Sequence, residues 1–341
     1  MLDARFSILT CCMSDLEYRA SSIQQRFYRV SSIESIEHRV SPIYKVNNLA
    51  TNWKQLAWNG IRFKIPADWE VGQIGARHLI LEDEAVPVME IKWGPVKGAF
   101  SHRTHLKRLA ALQSRRNKIS VAEWILPPHW EKALTGFEAG GFLWQSPAAS
   151  GRGAILFCAA CRTATLIQFF GDSSVKREKV FLAVLKSFRD HSRDGWLLWS
   201  IFDIRATLPQ SLQLVRFRFE AGKFELEFLA GRHNIHLHRW APATALLGGR
   251  DLDAFSRTIP EFAEGHPQPT AINDCEAVEW SISPGSGWRR KICRFKLTPS
   301  FYWFRMWCLE KQNRILGVRA EGKGPVDIHL LNQICEKYES L

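Results

Sequence analysis

The sequence predicts an α+β protein: two similar domains in tandem, each an antiparallel β-sheet covered by helices. Three observations carry this. Short motifs recur in the same order at a nearly constant offset. Apolar runs of strand length alternate with turn signals. Both copies close on an amphipathic helix.

The repeat opens with Ile61-Arg62-Phe63-Lys64-Ile65-Pro66, which matches Ile204-Arg205-Ala206-Thr207-Leu208-Pro209 at an offset of 143. Trp69 and Val71 then match Leu212 and Leu214. Val88 to Pro95 matches Ile235 to Pro242 at an offset of 147, so Trp93 pairs with Trp240. Glu123-Trp124 matches Glu279-Trp280, and Phe157-Cys158 matches Trp307-Cys308. A period this long exceeds that of solenoid repeats and lets each unit bury its own core. The expected organisation is an N-terminal arm over residues 1–57, a first domain over 58–192 and a second over 199–341.

Elements follow in order. A short strand ends at Pro66, where proline suits a strand end. Strands are expected at His78 to Glu82 and Val86 to Trp93, then a helix over Ser101 to Ser114. Phe142 to Gln145, Ala154 to Ala159 and Thr165 to Phe170 read as further strands, and Val180 to Phe188 as the closing helix. In the second copy the strands are Leu214 to Phe219, Phe224 to Phe228, Ile235 to Trp240, Trp288 to Leu297, Tyr302 to Leu309 and Ile315 to Arg319. Its helices are Asp251 to Thr258 and Ile328 to Tyr338. Ala160 to Ala164 and Glu310 to Arg314 read as hairpin loops.

Phe63 to Trp69 (F-K-I-P-A-D-W), Ile204 to Pro209 (I-R-A-T-L-P) and Val184 to Phe188 (V-L-K-S-F) make both copies resemble the PsbP-like family, which includes the Ran guanine-nucleotide-release factors. The resemblance leaves out residues 1–50. It implies an αβα sandwich that binds other macromolecules without a catalytic triad, and it carries no site residue onto this chain.

Residues 1–50 stand apart. Ile23, Phe27, Val30, Ile33, Ile36, Val40 and Ile43 recur at helical spacing, interrupted by serine pairs, as in a partly helical or poorly ordered arm. Met13 offers an alternative start, which leaves open whether residues 1–12 belong to the protein. No signal-peptide pattern is present.

Composition narrows the function. Apolar residues make up 46% and charged residues 23%, ordinary values for a folded chain. The longest apolar stretch, Ala154 to Phe170, is too short to span a bilayer and contains Arg162, so no membrane span is expected. Eight cysteines are too few for a disulfide scaffold of this length and suit a reducing, cytoplasmic setting. The net charge of +12 is spread along the chain rather than focused in one block.

Positions where the copies differ are the better functional candidates. His236 and His238 alternate on one strand and share a face, whereas their matches Met89 and Ile91 look like core. Two imidazoles fall short of the three or four ligands zinc takes, so they are weak metal candidates and no metal or cofactor is assigned. Cys158-Ala-Ala-Cys161 is a C-x-x-C without a second pair, and it enters a turn rather than a helix, so it reads as structural. Two basic clusters, Arg115, Arg116 and Lys118, and Arg289, Arg290, Arg294 and Lys296, could contact phosphates, although exposed basic residues are ordinary. No P-loop, G-x-S-x-G, H-E-x-x-H or G-x-G-x-x-G occurs. The expected function is therefore a non-enzymatic adaptor or accessory subunit that binds another protein. The alternative is a basic accessory protein for RNA or DNA. The third reading is a metal or redox enzyme using His236, His238 or Cys161.

Overall fold

The computed structural model describes residues 52–117, 119–147, 149–171, 174–259, 267–282, 301–324 and 326–341. They form mostly antiparallel β-sheets with a few helices. The chain divides into two compact units. The first takes in Phe63–Asp190 and the second His191–Leu341, and Leu56–Arg62 belongs with the second.

The first unit holds a seven-stranded sheet. Its strands are β3 (Glu70–Gly75), β4 (His78–Asp83), β5 (Val86–Pro95), β6 (Ser120–Trp124), β7 (Glu138–Gln145), β8 (Ser150–Cys158) and β9 (Thr163–Phe170), in the order β3-β4-β5-β9-β8-β7-β6. Helix α1 (His102–Asn117) packs on one face through Leu106 and Leu109, against Phe142, Trp144, Ile155 and Leu166. The other face receives α2 (Pro128–Ala133) and α3 (Val175–Ser187). There Phe169 stacks on Phe181 and meets Trp130 edge-on. Glu178, in the first turn of α3, accepts from Trp130 Nε1 and Arg152 and clamps both helices to the sheet. Trp130 is fully buried, and truncating a core Trp to Ala typically costs about 3–5 kcal/mol. Pro127 and Pro128 start α2, a proline at the first turn losing no helical hydrogen bond.

The second unit repeats this order. Its strands are β12 (Gln213–Glu220), β13 (Lys223–Ala230), β14 (His233–Trp240), β15 (Gln268–Ile272), β16 (Cys275–Ile282), β17 (Phe301–Leu309) and β18 (Arg314–Gly322), arranged β12-β13-β14-β18-β17-β16-β15. Two short helices, α4 (Ala243–Leu247) and α5 (Leu252–Ser256), cover one face through Ala243 and Phe255 against Trp240, Trp280 and Phe304. Helix α6 (Ile328–Glu336), capped by Asp327, serves the other face. Beside this sheet run β10 (Trp196–Ile201), β11 (Ile204–Pro209) and β19 (Tyr338–Ser340). The end of β1 (Trp53–Trp58) joins them by pairing Ala57 with Ser200.

Register fixes which positions correspond. Both edge strands carry a bulge at the same point, at Gly72 in β3 and Val215 in β12. The opening motifs occupy matching hairpin strands, β2 (Ile61–Pro66) and β11. The hairpin loops after β8 and β17 are both four residues long, and each ends on a left-handed residue, Arg162 at φ 54° and Asn313 at φ 56°.

Three of the sequence matches differ from the structural register. Strand β5 contains an extra residue, Val88, which bulges between the pairs Glu82–Pro87 and Leu81–Met89, and β14 has no such bulge. Past it the matched positions slip by one, and a slip of one exchanges faces. Met89, Ile91 and Trp93 face α2 and α3, whereas His236, His238 and Trp240 face α4 and α5. The counterparts of His236 and His238 are therefore Glu90 and Lys92. Cys158 likewise corresponds to Leu309 and not to Cys308, because Cys158 opposes Thr163 as Leu309 opposes Arg314. Glu123-Trp124 lies on β6, at the sheet edge, but Glu279-Trp280 lies on β16, one strand further in.

The expected strand Trp288 to Leu297 and the arm over residues 1–50 lie outside the described residues. Among the described residues, no helix is long and apolar enough to cross a membrane.

Candidate functional site

Strand alternation places a polar cluster at the same place in both sheets, on the face that carries the helices after the third strand. In the first unit it is centred on a carboxylate. Glu90 on β5 is buried and pairs across to Gln168 on β9. Its Oε1 lies 2.8 Å from His78 Nε2 and 2.5 Å from Lys92 Nζ, and Gln168 Nε2 donates to Oε2. Burial alone would raise the Glu90 pKa. The Lys92 ammonium and the His78 bond outweigh it and hold the carboxyl far below its ordinary range.

In the second unit the cluster is centred on an imidazole. His236 pairs with Arg319 on β18 and lies between two carboxylates, its Nδ1 3.4 Å from Glu225 and its Nε2 3.5 Å from Glu321. Burial disfavours the imidazolium, but the bonds to Glu225 and Glu321 prevail and raise its pKa. His236 in turn holds Glu225 down at about 2 despite the opposing effect of burial. The rings of His236 and His238 are parallel, 5.8 Å apart, and His238 stacks on Trp240 at 5.0 Å. His238 is 5% exposed, burial drives its pKa well below the usual value, and its Nδ1 has no hydrogen-bond partner. At neutral pH this ring is uncharged, and it packs as an aromatic.

Glu225, His236 and His238 each bring one ligand atom within 4.8 Å of the others, a separation a divalent ion can bridge. The Arg319 guanidinium, however, lies 3.2 Å from His236 Nε2. A cation already occupies this neighbourhood, and the carboxylates are spent on His236 and Arg319. The arrangement is that of a charge-compensated buried network.

The C-x-x-C spans the β8–β9 hairpin. Cys158 is the buried last residue of β8, and Cys161 lies in the loop with its Sγ 3.1 Å from Asp190 Oδ2. Arg115 and Arg116 fall on the last turn of α1, with side chains outside the described residues. Lys118, Arg289, Arg290, Arg294 and Lys296 lie outside the described residues altogether.

Sequence reasoning missed an aromatic surface in the second unit. The β10–β11 hairpin turns on Phe202-Asp203, and Phe202 sits at φ 53°, a left-handed backbone that costs a bulky residue of order 1–3 kcal/mol. The β1–β2 turn has Asn59-Gly60 at this place, with Asn59 at φ 44°. Asp203, accepting from Arg239 and from Arg314 at 2.8 Å, fixes the strained turn. Phe202 remains 45% exposed, 4.8 Å from Phe219 and 5.5 Å from Phe224. Phe217 lies 5.8 Å from Phe219 and 5.2 Å from Trp58. Phe217 and Phe219 belong to β12, the last strand in its sheet, whose bulge residue Val215 is 57% exposed. The available signal was Phe at a two-residue turn that ordinarily takes Asn or Gly.

No family model and no curated protein matches the chain. Solved structures align with the chain at low identity. The Ran-binding protein Mog1p of Saccharomyces cerevisiae is 8% identical and aligns with 41% of this chain and 96% of its own, at a TM-score of 0.29. The T6SS immunity protein TplEi of Pseudomonas aeruginosa is 11% identical and aligns over 84% of this chain and 97% of its own, also at 0.29. It is known in a complex with an "L" peptide as well. A protein of Bacteroides thetaiotaomicron is 12% identical over 46% of this chain and 53% of its own, at 0.27.

Proposed function

We propose that the chain is a non-enzymatic adaptor or accessory subunit that works by binding another protein, and that its two sheets descend from one PsbP-like domain used twice. The observation that carries the binding role is the Phe202 surface. A strained backbone holds an aromatic ring half in solvent, beside an edge strand with further rings and an exposed bulge residue. Backbone strain tends to persist where function requires it, and exposed aromatic clusters are typical binding anchors. The occupant we assign is an extended segment of the partner protein, laid along the outer edge of β12 with an apolar side chain on Phe202. Arg216 and Arg218, more than half exposed on the same strand, are paired with Glu227 and Glu220. The common strand order, the paired bulges at Gly72 and Val215 and the matching left-handed loop residues support descent from one domain. Five cysteines among the described residues stand outside disulfides, which suits a cytoplasmic setting.

The test is affinity capture from the native host with the wild type and Phe202→Asp, checked for folding by circular dichroism. Hydrogen exchange is then measured on the recovered complex. A stoichiometric partner that the variant loses and that protects β12 amides is the expected result. Equal capture by the variant, or protection only elsewhere, refutes the site, and turnover of a small molecule refutes the non-enzymatic reading.

A further inference from the structure

The C-x-x-C lacks a second cysteine pair in sequence, and the fold supplies other ligands. Cys158, at the end of β8, and Cys161, three residues on in the loop, converge with Asp190, which follows the last turn of α3. Their two sulfurs and a carboxylate oxygen all lie within 4.8 Å of one another. Cys158 and Asp190 are buried and Cys161 is partly so. The loop is held from outside: Val96 N donates to Arg162 O at 2.7 Å, and Arg162 Nη2 to Gly98 O at 2.5 Å. A tight hairpin that presents two thiols to one point, with an anionic oxygen opposite, is a geometry suited to a tetrahedral thiolate-bound ion.

The second sheet provides an internal control. Its equivalent hairpin has the same length and the same left-handed residue, but Leu309 and Gln312 stand where the cysteines are. The hairpin therefore forms without sulfur at either place, and the cysteines answer to something other than the turn.

We propose that Cys158, Cys161 and Asp190 bind one Zn²⁺ ion. The fourth position is left to water. Binding forms two Zn–S bonds and one Zn–O bond and releases both thiol protons to solvent, with no change of oxidation state. Two soft sulfur ligands favour Zn²⁺ over Mg²⁺ or Ca²⁺.

The full chain, purified under reducing conditions without chelator or metal-affinity tag, is analysed for metal content and titrated with Co²⁺. The wild type should carry one equivalent of zinc, and Co²⁺ should give thiolate-to-cobalt charge-transfer absorption. Cys158→Ser/Cys161→Ser should lose both, and Asp190→Asn should bind more weakly. His236→Ala/His238→Ala should retain the full equivalent. If the serine double variant misfolds, Cys161→Ser alone, at the more exposed position, gives the same reading. Absence of both zinc and the cobalt band in the wild type overturns the proposal. So does retention of one equivalent by the serine variants, or loss of it in the histidine variant.

Discussion

The two seven-stranded sheets share strand order and edge bulge, yet they fill the same buried slot with opposite charge logic. In the first, the carboxylate of Glu90 takes donors from His78, Lys92 and Gln168. In the second, the imidazole of His236 lies between Glu225 and Glu321. His and Glu have changed places across the same pair of strands, since His78 and Glu225 occupy equivalent positions on β4 and β13. The fold constrains the slot to be polar and compensated, but not which strand supplies the negative charge. A network with one acceptor at its centre depends on that acceptor; one with two acceptors around a donor has redundancy.

That difference gives the largest expected effect. Glu90→Ala removes the one carboxylate of this cluster among the described residues and leaves the partly buried Lys92 ammonium uncompensated, a change costing about 3 kcal/mol. His236→Ala should cost less, about 1–3 kcal/mol, because Arg319 still faces Glu321. Urea unfolding of both variants in the full chain measures the gap, and equal losses would break the comparison.

The next contrast is pH. Both glutamates have lowered folded pKa values, so their stabilisation is present above about 4.5 and lost as pH falls through the folded values. His236 has a raised pKa: its contribution is complete below about 6.5 and disappears as pH rises through the folded value. His238 opposes it. Its depressed pKa stabilises the fold above about 6.5 and loses that stability as pH falls. His238→Phe should therefore gain on the wild type as pH drops from 7 to 5, as read by thermal melts across that range. A constant difference would mean that His238 protonates freely in the folded state.

Smaller effects are expected from the backbone. Deleting Val88 removes the spare residue of β5 and makes its hairpin resemble that of β14, at a cost on the order of 1 kcal/mol. Deleting Asn234, in the unbulged hairpin, leaves no residue to absorb the slip and should cost more than about 4 kcal/mol. Chemical unfolding of the two deletions tests whether the bulge is a reserve of register. The smallest change is Phe202→Asn, which relieves left-handed strain while giving up ring contacts worth roughly 0.5–1.5 kcal/mol; stability should stay within about 1 kcal/mol of the wild type.

The sequence displayed the strands that alternate or run apolar between clear turns, such as β4, β13 and β17, and the closing helices α3 and α6. It did not display β3 or β6, whose exposed polar residues look like loop, nor α2, a single Pro-led helix of six residues. The bulge at Val88 was invisible because Val86 to Ile91 offers apolar residues in either register. Trp93 and Trp240 consequently looked equivalent while facing opposite sides of their sheets. His236 and His238 were legible as a pair on one face, but Glu225, Glu321 and Arg319 come from strands 11 to 85 residues away. Cys158 and Cys161 were visible as a motif, and Asp190, 29 residues beyond Cys161, was not.

The pairing of Ala57 with Ser200, and the contact of Trp58 with Trp199 at 5.2 Å, have a consequence for synthesis. Leu56–Arg62 emerges from the ribosome long before the rest of its unit. At about 5–20 residues per second, Trp58 waits roughly 7–28 s for Trp199 to be made. During that interval an indole destined for full burial precedes the rings of β10 and β12 against which it packs. A nascent chain halted after Asp190 would thus hold Leu56–Arg62 apart from the rest of its unit, which His191–Leu341 supplies later.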